Sequence, residues 1–310
     1  MRLRSVFIPL SAAAALGGFA LEELYAYVFL RRRSRLLAPF LDKRGHEQDY
    51  YTARDTAAAA MREREQTRWS IRSARGEPLQ GFYFPGTGSG RRVAFIVHGY
   101  RSEHADTAGR FYDFWAARGF DLFCCDHTAH GESGGDHVGF SVLEAEDCLQ
   151  WLSELIARLG PDVELVLHGF SMGGATVLAM SDRLPPQVKL IIEDSGFASA
   201  EAQLRAQLGP VYPLMRAVNR LSAGYDLADG DVRAHLARAS VPILFVHGME
   251  DTTVPYENGP ALYAFYQGQK ACLFTPGARH IETIHVAPDA YGAAVDRMIG
   301  QLLLDILALK

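Results

Sequence analysis

Short apolar runs that stop at a glycine or a polar residue recur along this chain, and longer amphipathic stretches separate them. Residues 93–97, 121–126, 163–168, 190–193, 243–247 and 272–275 have the length and the β-branched or aromatic content of buried strands. Residues 111–118, 142–159 and 291–307 carry helix-like patterns instead. That alternation predicts an α/β fold, a mainly parallel, doubly wound sheet with helices on both faces. Between residues 196 and 240, Leu204, Leu208, Val211, Met215 and Val218 recur at helical spacing and make one apolar face. Pro210 and Pro213 are expected to split that face into two short helices. The stretch reads as a small helical cap at about 196–240. Its apolar stripe packs on the core, forms a lid whose underside lines a pocket, or does both.

The first 35 residues break this pattern. Residues 6–21 are apolar apart from Ser11, with Arg2 and Arg4 before them and Glu22-Glu23, then Arg31-Arg32-Arg33-Ser34-Arg35, after them. A spanning helix needs about 20 apolar residues. This run is slightly short, and its two glutamates are costly in a bilayer. Three readings stand: a single N-terminal transmembrane anchor, a signal peptide cleaved near Gly18-Phe19-Ala20, or an amphipathic helix lying on a membrane or on the protein. The anchor is the leading expectation, giving a membrane-associated protein. The arginines after the run outnumber those before it, which keeps the catalytic domain in the cytoplasm, while the signal-peptide reading implies an exported form. Residues 1–35 are thus expected to be the hydrophobic anchor segment, 36–75 a helical linker and 76–310 the catalytic domain.

Charge and cysteine content narrow the partners. Residues 1–75 carry a net charge of +6 and the remainder −11, and so acidic a body argues against nucleic acid. Cys124, Cys125, Cys148 and Cys272 show no zinc-like spacing, and two of them are adjacent, so they read as small hydrophobes in a reducing compartment. His104, His127, His130 and His137 lie close in a turn-rich stretch without a helical i, i+4 pair, so neither a metal nor a cofactor is expected.

The candidate chemistry sits where strands end. Leu165-Val166-Leu167-His168 runs into Gly169-Phe170-Ser171-Met172-Gly173, a G-x-S-x-G turn followed by small helix-forming residues. A serine at such a strand-to-helix corner projects its hydroxyl above the sheet. Asp251 follows the strand-like run 243–247, and His280 follows 272–275 and a Pro-Gly turn. In a parallel sheet all three reach the carboxyl edge, where such folds build their sites. Ser171 is read as the nucleophile, His280 as general base and acid, and Asp251 as the carboxylate that orients the imidazole. The N–H groups of Tyr100, after the strand ending in His98-Gly99, and of Met172 are the candidate oxyanion hole. Asp194 is the rival acid, at the end of the strand after the nucleophile. His285 is the rival histidine, placed where the last helix should begin.

Taken together, these motifs resemble the α/β-hydrolase superfamily, and most closely bacterial hydrolases of the serine-aminopeptidase and bile-acid-acyltransferase-like group. The likeness rests on His98-Gly99-Tyr100, Asp126 through His130-Gly131-Glu132-Ser133-Gly134-Gly135, Gly169 to Gly174, Ile192 to Phe197, Ala223-Gly224-Tyr225-Asp226, His247-Gly248 through Asp251 to Val254-Pro255, and Pro276-Gly277-Ala278 to His280. Thr128 departs from the group, which usually has an arginine there, and that puts local packing in question. The resemblance implies a serine hydrolase, with His98 and His247 used for packing and hydrogen bonding. An apolar cap favours a hydrophobic acyl group, so hydrolysis of carboxylic esters or thioesters is the leading expectation. An aminopeptidase or amidase, or an acyltransferase, would use the same triad, and a membrane-tethered binding protein with a decayed site is the reading from another class.

Overall fold

In the computed structural model, which describes residues 10–31, 37, 48–86, 88 and 91–308, the apolar runs pair into one eight-stranded sheet. Its strands are β1 (Thr67–Arg72), β2 (Pro78–Phe84), β3 (Arg92–Val97), β4 (Asp121–Asp126), β5 (Glu164–Phe170), β6 (Val188–Asp194), β7 (Ile243–Gly248) and β8 (Lys270–Thr275). Their spatial order is 1-2-4-3-5-6-7-8. β2 pairs antiparallel with both β1 and β4, and every pairing from β4 to β8 is parallel. The carboxyl ends of β3, β5, β6, β7 and β8 therefore share one edge. The sheet begins at Thr67, inside the stretch read from the sequence as a linker.

Eleven helices surround the sheet among the described residues: α1 (Leu10–Phe29), α2 (Gln48–Arg62), α3 (His104–Ala116), α4 (Val142–Leu159), α5 (Met172–Ala179), α6 (Ala200–Leu208), α7 (Tyr212–Ala223), α8 (Arg233–Leu236), α9 (Asn258–Phe265), α10 (Thr283–Val286) and α11 (Pro288–Ala308). Strand side chains alternate between faces, so Leu165 and Ile191 enter one core while Val166 and Ile192 enter the other. The first core also takes Trp151 of α4 and Met215 of α7; the second takes Phe111 and Trp115 of α3 and Tyr291 and Val295 of α11. Burial on both faces explains why these strands read as continuous apolar runs.

The two prolines divide the cap as expected. α6 stops at Leu208, one 3₁₀ turn covers Gly209–Val211, and α7 carries Pro213 in its first turn, where no N–H is needed. Leu204 and Met215 are fully buried in the first core, and Leu208 and Val218 pack against it. Core packing takes up four of the five residues of the apolar stripe, all but Val211.

The N-terminal segment departs from the anchor expectation. Among the described residues, no helix is long and apolar enough to cross a membrane. α1 lies on the protein instead, with Tyr25, Ala26, Val28 and Phe29 buried. The Tyr25 hydroxyl meets Asn219 (3.3 Å) and Ser222 (2.5 Å) on α7, and the Phe29 ring sits edge-on to Phe140 at 5.5 Å. Val138 donates its N–H to Phe29 O (2.9 Å), and Arg31 donates its N–H to Asp136 O (2.7 Å). The end of α1 is an aromatic face that the body covers, and Glu22-Glu23 interrupts the apolar run before it. Residues 1–9 and 32–36, which hold Arg2, Arg4 and most of the following arginine cluster, lie outside the described residues, as do 38–47 of the expected linker. The rest of that linker supplies α2, which packs along α3.

Candidate active site

Ser171 occupies the single residue between β5 and α5, with φ 55°, a left-handed conformation that a non-glycine residue rarely adopts. Two backbone bonds hold it there: Ser171 N–H donates to Asp194 O (2.8 Å), and Ala175 N–H donates to Ser171 O (3.1 Å). Packing at this corner leaves no space for side chains on either flank. A Cβ on Gly169 would lie 2.2 Å from Gly173 O, and one on Gly173 would lie 2.0 Å from Val97 O. The motif glycines are thus required by the close approach of backbone to backbone.

The three predicted residues come together. His280 Nε2 lies 2.9 Å from Ser171 Oγ, and its Nδ1 lies 2.6 Å from Asp251 Oδ2. A carboxylate only accepts, so Nδ1 carries the proton and Nε2 is free to accept from the serine. The other Asp251 oxygen receives the N–H groups of Thr253 and Val254, both at 2.9 Å, which fixes the turn after β7. Burial pushes the Asp251 carboxyl up, but hydrogen bonds from His247 and His280 outweigh it and hold the group well below the usual carboxylate range. His247 shows the converse: burial lowers it, and the Asp251 hydrogen bond together with the Glu193 charge raises it above its ordinary value. Its Nε2 sits 3.0 Å from Val254 O and 3.4 Å from Asp251 Oδ2.

The rivals are occupied elsewhere. Asp194 receives the Ser195 hydroxyl (2.9 Å) and the Tyr291 hydroxyl (3.0 Å). Trp115 Nε1 donates to His168 Nδ1 (3.3 Å), which leaves the proton on His168 Nε2, 2.7 Å from Tyr291 Oη. Asp194 therefore ends a buried chain running through Tyr291 and His168 to Trp115. It also acts indirectly on the site, because Ser195 Oγ accepts the N–H of Ile281, a residue held at φ 53° beside His280. His285 is exposed on α10.

The loop after β3 abuts the nucleophile: a Cβ on Gly99 would come within 3.2 Å of Ser171 Cβ. The N–H of Arg101 is taken by His130 Nε2 (3.1 Å), whose Nδ1 bonds Thr128 O (2.9 Å). His98 receives the N–H of His127 at Nε2 (3.0 Å) and bonds Gly99 O through Nδ1 (2.8 Å). Both histidines brace the loop that carries Tyr100. Met172 opens α5, so its N–H belongs to the first turn, which lacks intrahelical acceptors. Thr128 donates its hydroxyl to Asp147 on α4 (2.5 Å), and Arg31, from beyond α1, donates to Gly131 O (2.7 Å) and Ser133 O. The loop with the departing threonine is thus tied down from two remote segments.

Cys124, Cys125 and Cys148 are buried free thiols, whereas Cys272 is exposed rather than buried. Ligand atoms of Cys125, His127 and Cys148 lie within 4.8 Å of one another. Burial pushes the Cys125 thiol far up and His127 far down, so both are neutral in the metal-free protein.

The cavity over the serine has a volume of about 220 Å³ and is lined by Ser171, His280, Tyr100, Arg54, Arg101 and Arg110, among others. No residue of 196–240 is among its described lining. The walls come instead from α2, α3 and the loop after β3. The arginines went unnoticed in the sequence, because nothing in a local pattern brings Arg54 of α2 opposite a loop more than forty residues on.

Comparison with known proteins follows the same outline. The family model described as serine aminopeptidase, S33, matches residues 88–225. The chain is 24% identical over 225 residues to the uncharacterized protein YqkD of Bacillus subtilis, covering 70% of this chain and 73% of that one. It is 27% identical over 202 residues to a monoacylglycerol lipase of Mycolicibacterium smegmatis, covering 53% and 72%. Among solved structures, the Pyrococcus furiosus esterase Pf2001 superposes with a TM-score of 0.62 at 18% identity, covering 76% of this chain and 92% of that one.

Proposed function

Since the chain belongs to the α/β-hydrolase superfamily, we propose that it hydrolyses carboxylic esters or thioesters through an acyl-enzyme on Ser171. His280 takes the serine proton as Oγ attacks the acyl carbonyl, and returns it to the leaving group as the tetrahedral intermediate collapses. Asp251 keeps Nδ1 protonated and stabilises the imidazolium. The N–H groups of Tyr100 and Met172 receive the developing oxyanion, each contributing on the order of 100- to 1000-fold in turnover. Water then enters by the same route to release the acid. The reading takes residues 76–310 as the catalytic domain with its cap at 196–240, extends it at the front to include β1, and treats α2, which brings Arg54 to the cavity, as an added piece of its wall.

The observation that carries this reading is the unbroken chain from Ser171 Oγ through His280 to an ionised Asp251, at 2.9 and 2.6 Å. Esters are favoured over peptides because an aminopeptidase needs anionic groups to hold a substrate ammonium, and this cavity sets Asp106 against three arginines. An acyltransferase would differ only in using an alcohol in place of water. The test is labelling of the full-length chain by a neutral fluorophosphonate, beside turnover of p-nitrophenyl esters from acetate to palmitate and of aminoacyl p-nitroanilides. Ser171→Ala is expected to abolish labelling and lower ester turnover about 10⁶-fold. Failure to label would leave a binding protein, and turnover of the anilides alone would move the reaction to peptides. The ester series reads the chain length that the site accepts.

A further inference from the structure

Tyr100 is the candidate oxyanion donor through its backbone N–H, and its side chain is bound to the N-terminal helix. The hydroxyl donates to the carbonyl oxygens of Tyr27 (3.0 Å) and Val28 (2.9 Å), in the last turn of α1. Resting on the acyl-enzyme reading above, we propose that the Tyr100 hydroxyl and Arg101 are positioning residues. By capping α1 they hold the loop after β3 where its N–H can receive the oxyanion.

A helix ends in carbonyl groups that have no partner within the helix. At α1 the body supplies the donors. The Tyr100 hydroxyl serves Tyr27 and Val28, a terminal nitrogen of Arg101 donates to the oxygens of Tyr27 and Leu30, and the Val138 N–H donates to Phe29 O (2.9 Å). Arg101 also donates from Nε to Tyr100 Oη (2.9 Å), so the two side chains act as one unit. Its guanidinium lies over the Tyr27 and Tyr100 rings, 5.4 and 5.0 Å from their centroids. Tyr100 and Arg101 are consecutive residues of the loop that abuts Ser171, and both line its cavity.

A column of rings makes the same connection. Tyr25 stacks on Phe29 (5.0 Å between centroids), Phe29 meets Phe140 edge-on (5.5 Å), and Phe140 stacks on Tyr100 (5.3 Å). The loop needs such support. Arg101 has φ 55°, a left-handed backbone that a non-glycine residue keeps only when its surroundings impose it. His130 Nε2 accepts the Arg101 N–H (3.1 Å) on one side, and α1 holds the side chains on the other. The bonds that join Ser171, His280 and Asp251, and those that fix the Asp251 turn, do not involve α1. Loosening α1 therefore leaves the triad in place and lets the oxyanion donor shift. A shift near 1 Å in a group of this kind costs on the order of 100-fold in rate.

The test is steady-state turnover of p-nitrophenyl butyrate by the full-length chain and by Tyr100→Phe, Phe29→Leu and the double variant. Tyr100→Phe keeps the ring and the backbone N–H and removes only the cap. It is expected to lower kcat ~10- to 100-fold with KM unchanged. The acid limb of the kcat/KM profile against pH, set by His280, should keep its midpoint because the triad is untouched. Phe29→Leu, in the ring column on α1, should lower kcat in the same direction. The two losses should fall short of multiplying in the double variant, since both act through one loop. Arg101→Lys, which keeps a donor for the carbonyls, should lose less than Arg101→Met. A kcat for Tyr100→Phe within about 2-fold of the parent, or losses that multiply fully in the double variant, overturns the inference. So does an effect of Tyr100→Phe confined to KM or to the melting temperature. In each of these cases, labelling of Ser171 by a neutral fluorophosphonate keeps the acyl-enzyme reading intact. Absence of labelling in the parent removes that reading and the inference with it.

Discussion

Asp194 and Asp251 stand at the carboxyl ends of neighbouring strands, both buried, and they live in opposite circumstances. Asp251 faces two imidazoles and two backbone N–H groups, and is held ionised well below the usual range. Asp194 faces two hydroxyls; burial raises its carboxyl, and the bonds from Ser195 and Tyr291 only partly offset this. Being an aspartate at the correct sheet edge therefore does not settle the role. The neighbours differ: one carboxylate is bonded to the imidazole that reaches Ser171, the other to the hydroxyls of Ser195 and Tyr291, and the proposed mechanism gives only the first a cation to stabilise.

Substitutions separate the two. The largest effect is expected for Asp251→Asn, which keeps the shape but lets His280 adopt the wrong tautomer; kcat should fall about 10⁴-fold with the fold unchanged, as read by turnover and circular dichroism. Asp194→Asn should show the reverse pattern. Ester turnover stays within ~10-fold, whereas unfolding in denaturant comes roughly 1–3 kcal/mol sooner because Tyr291 and Ser195 lose a charged acceptor. An Asp194 variant as inactive as the Asp251 variant would erase the distinction between them.

Glu193, the residue before Asp194, offers a third environment on the opposite face of β6. Burial raises its carboxyl to about 7, and the His247 charge and the Gly196 N–H offset this only in part. The native state therefore binds its proton more tightly than the unfolded chain does. The resulting stability is complete below the unfolded value of 4.5 and is lost as pH rises through about 7. Glu193→Gln should flatten that decline, visible as a melting temperature that no longer drops between pH 5 and 8. The smallest effect on turnover belongs to Tyr291→Phe: kcat is unchanged while stability falls by roughly 1–3 kcal/mol, since Asp194 and His168 both lose that hydroxyl as a partner.

The contrast also marks how far the sequence could be read. Ser171, Asp251 and His280 are legible because each follows a strand signal and a turn, and a parallel sheet carries such positions to one edge. The preference for His280 over His285 follows from the same local signals, whereas Asp194 and Asp251 both end strand signals and only their surroundings differ. What decides the pocket was not legible. Arg54 lies on a helix whose only apolar signal is the run from Ala57 to Met61, and Arg110 lies on α3 without any motif around it. The cap stripe was legible as a helical face, but spacing cannot say whether such a face covers a core or a ligand. For α1 the hydrophobic run resembles an anchor because length and apolarity are all a sequence displays; the aromatic pocket around Phe29 is assembled from residues more than a hundred positions away.

That docking of α1 sets a schedule for synthesis. Asn219, the partner of Tyr25, is made 194 residues after it. At a chain growth of 5–20 residues per second, roughly 10 to 40 s pass before the surface for this helix exists. During that interval an apolar helix, the acceptor for Arg101 in the finished site, waits in the growing chain without its seat. The segment around Tyr25 is thus made well before the surface that seats it, and Arg101 gains its acceptor on Tyr27 only when the two meet.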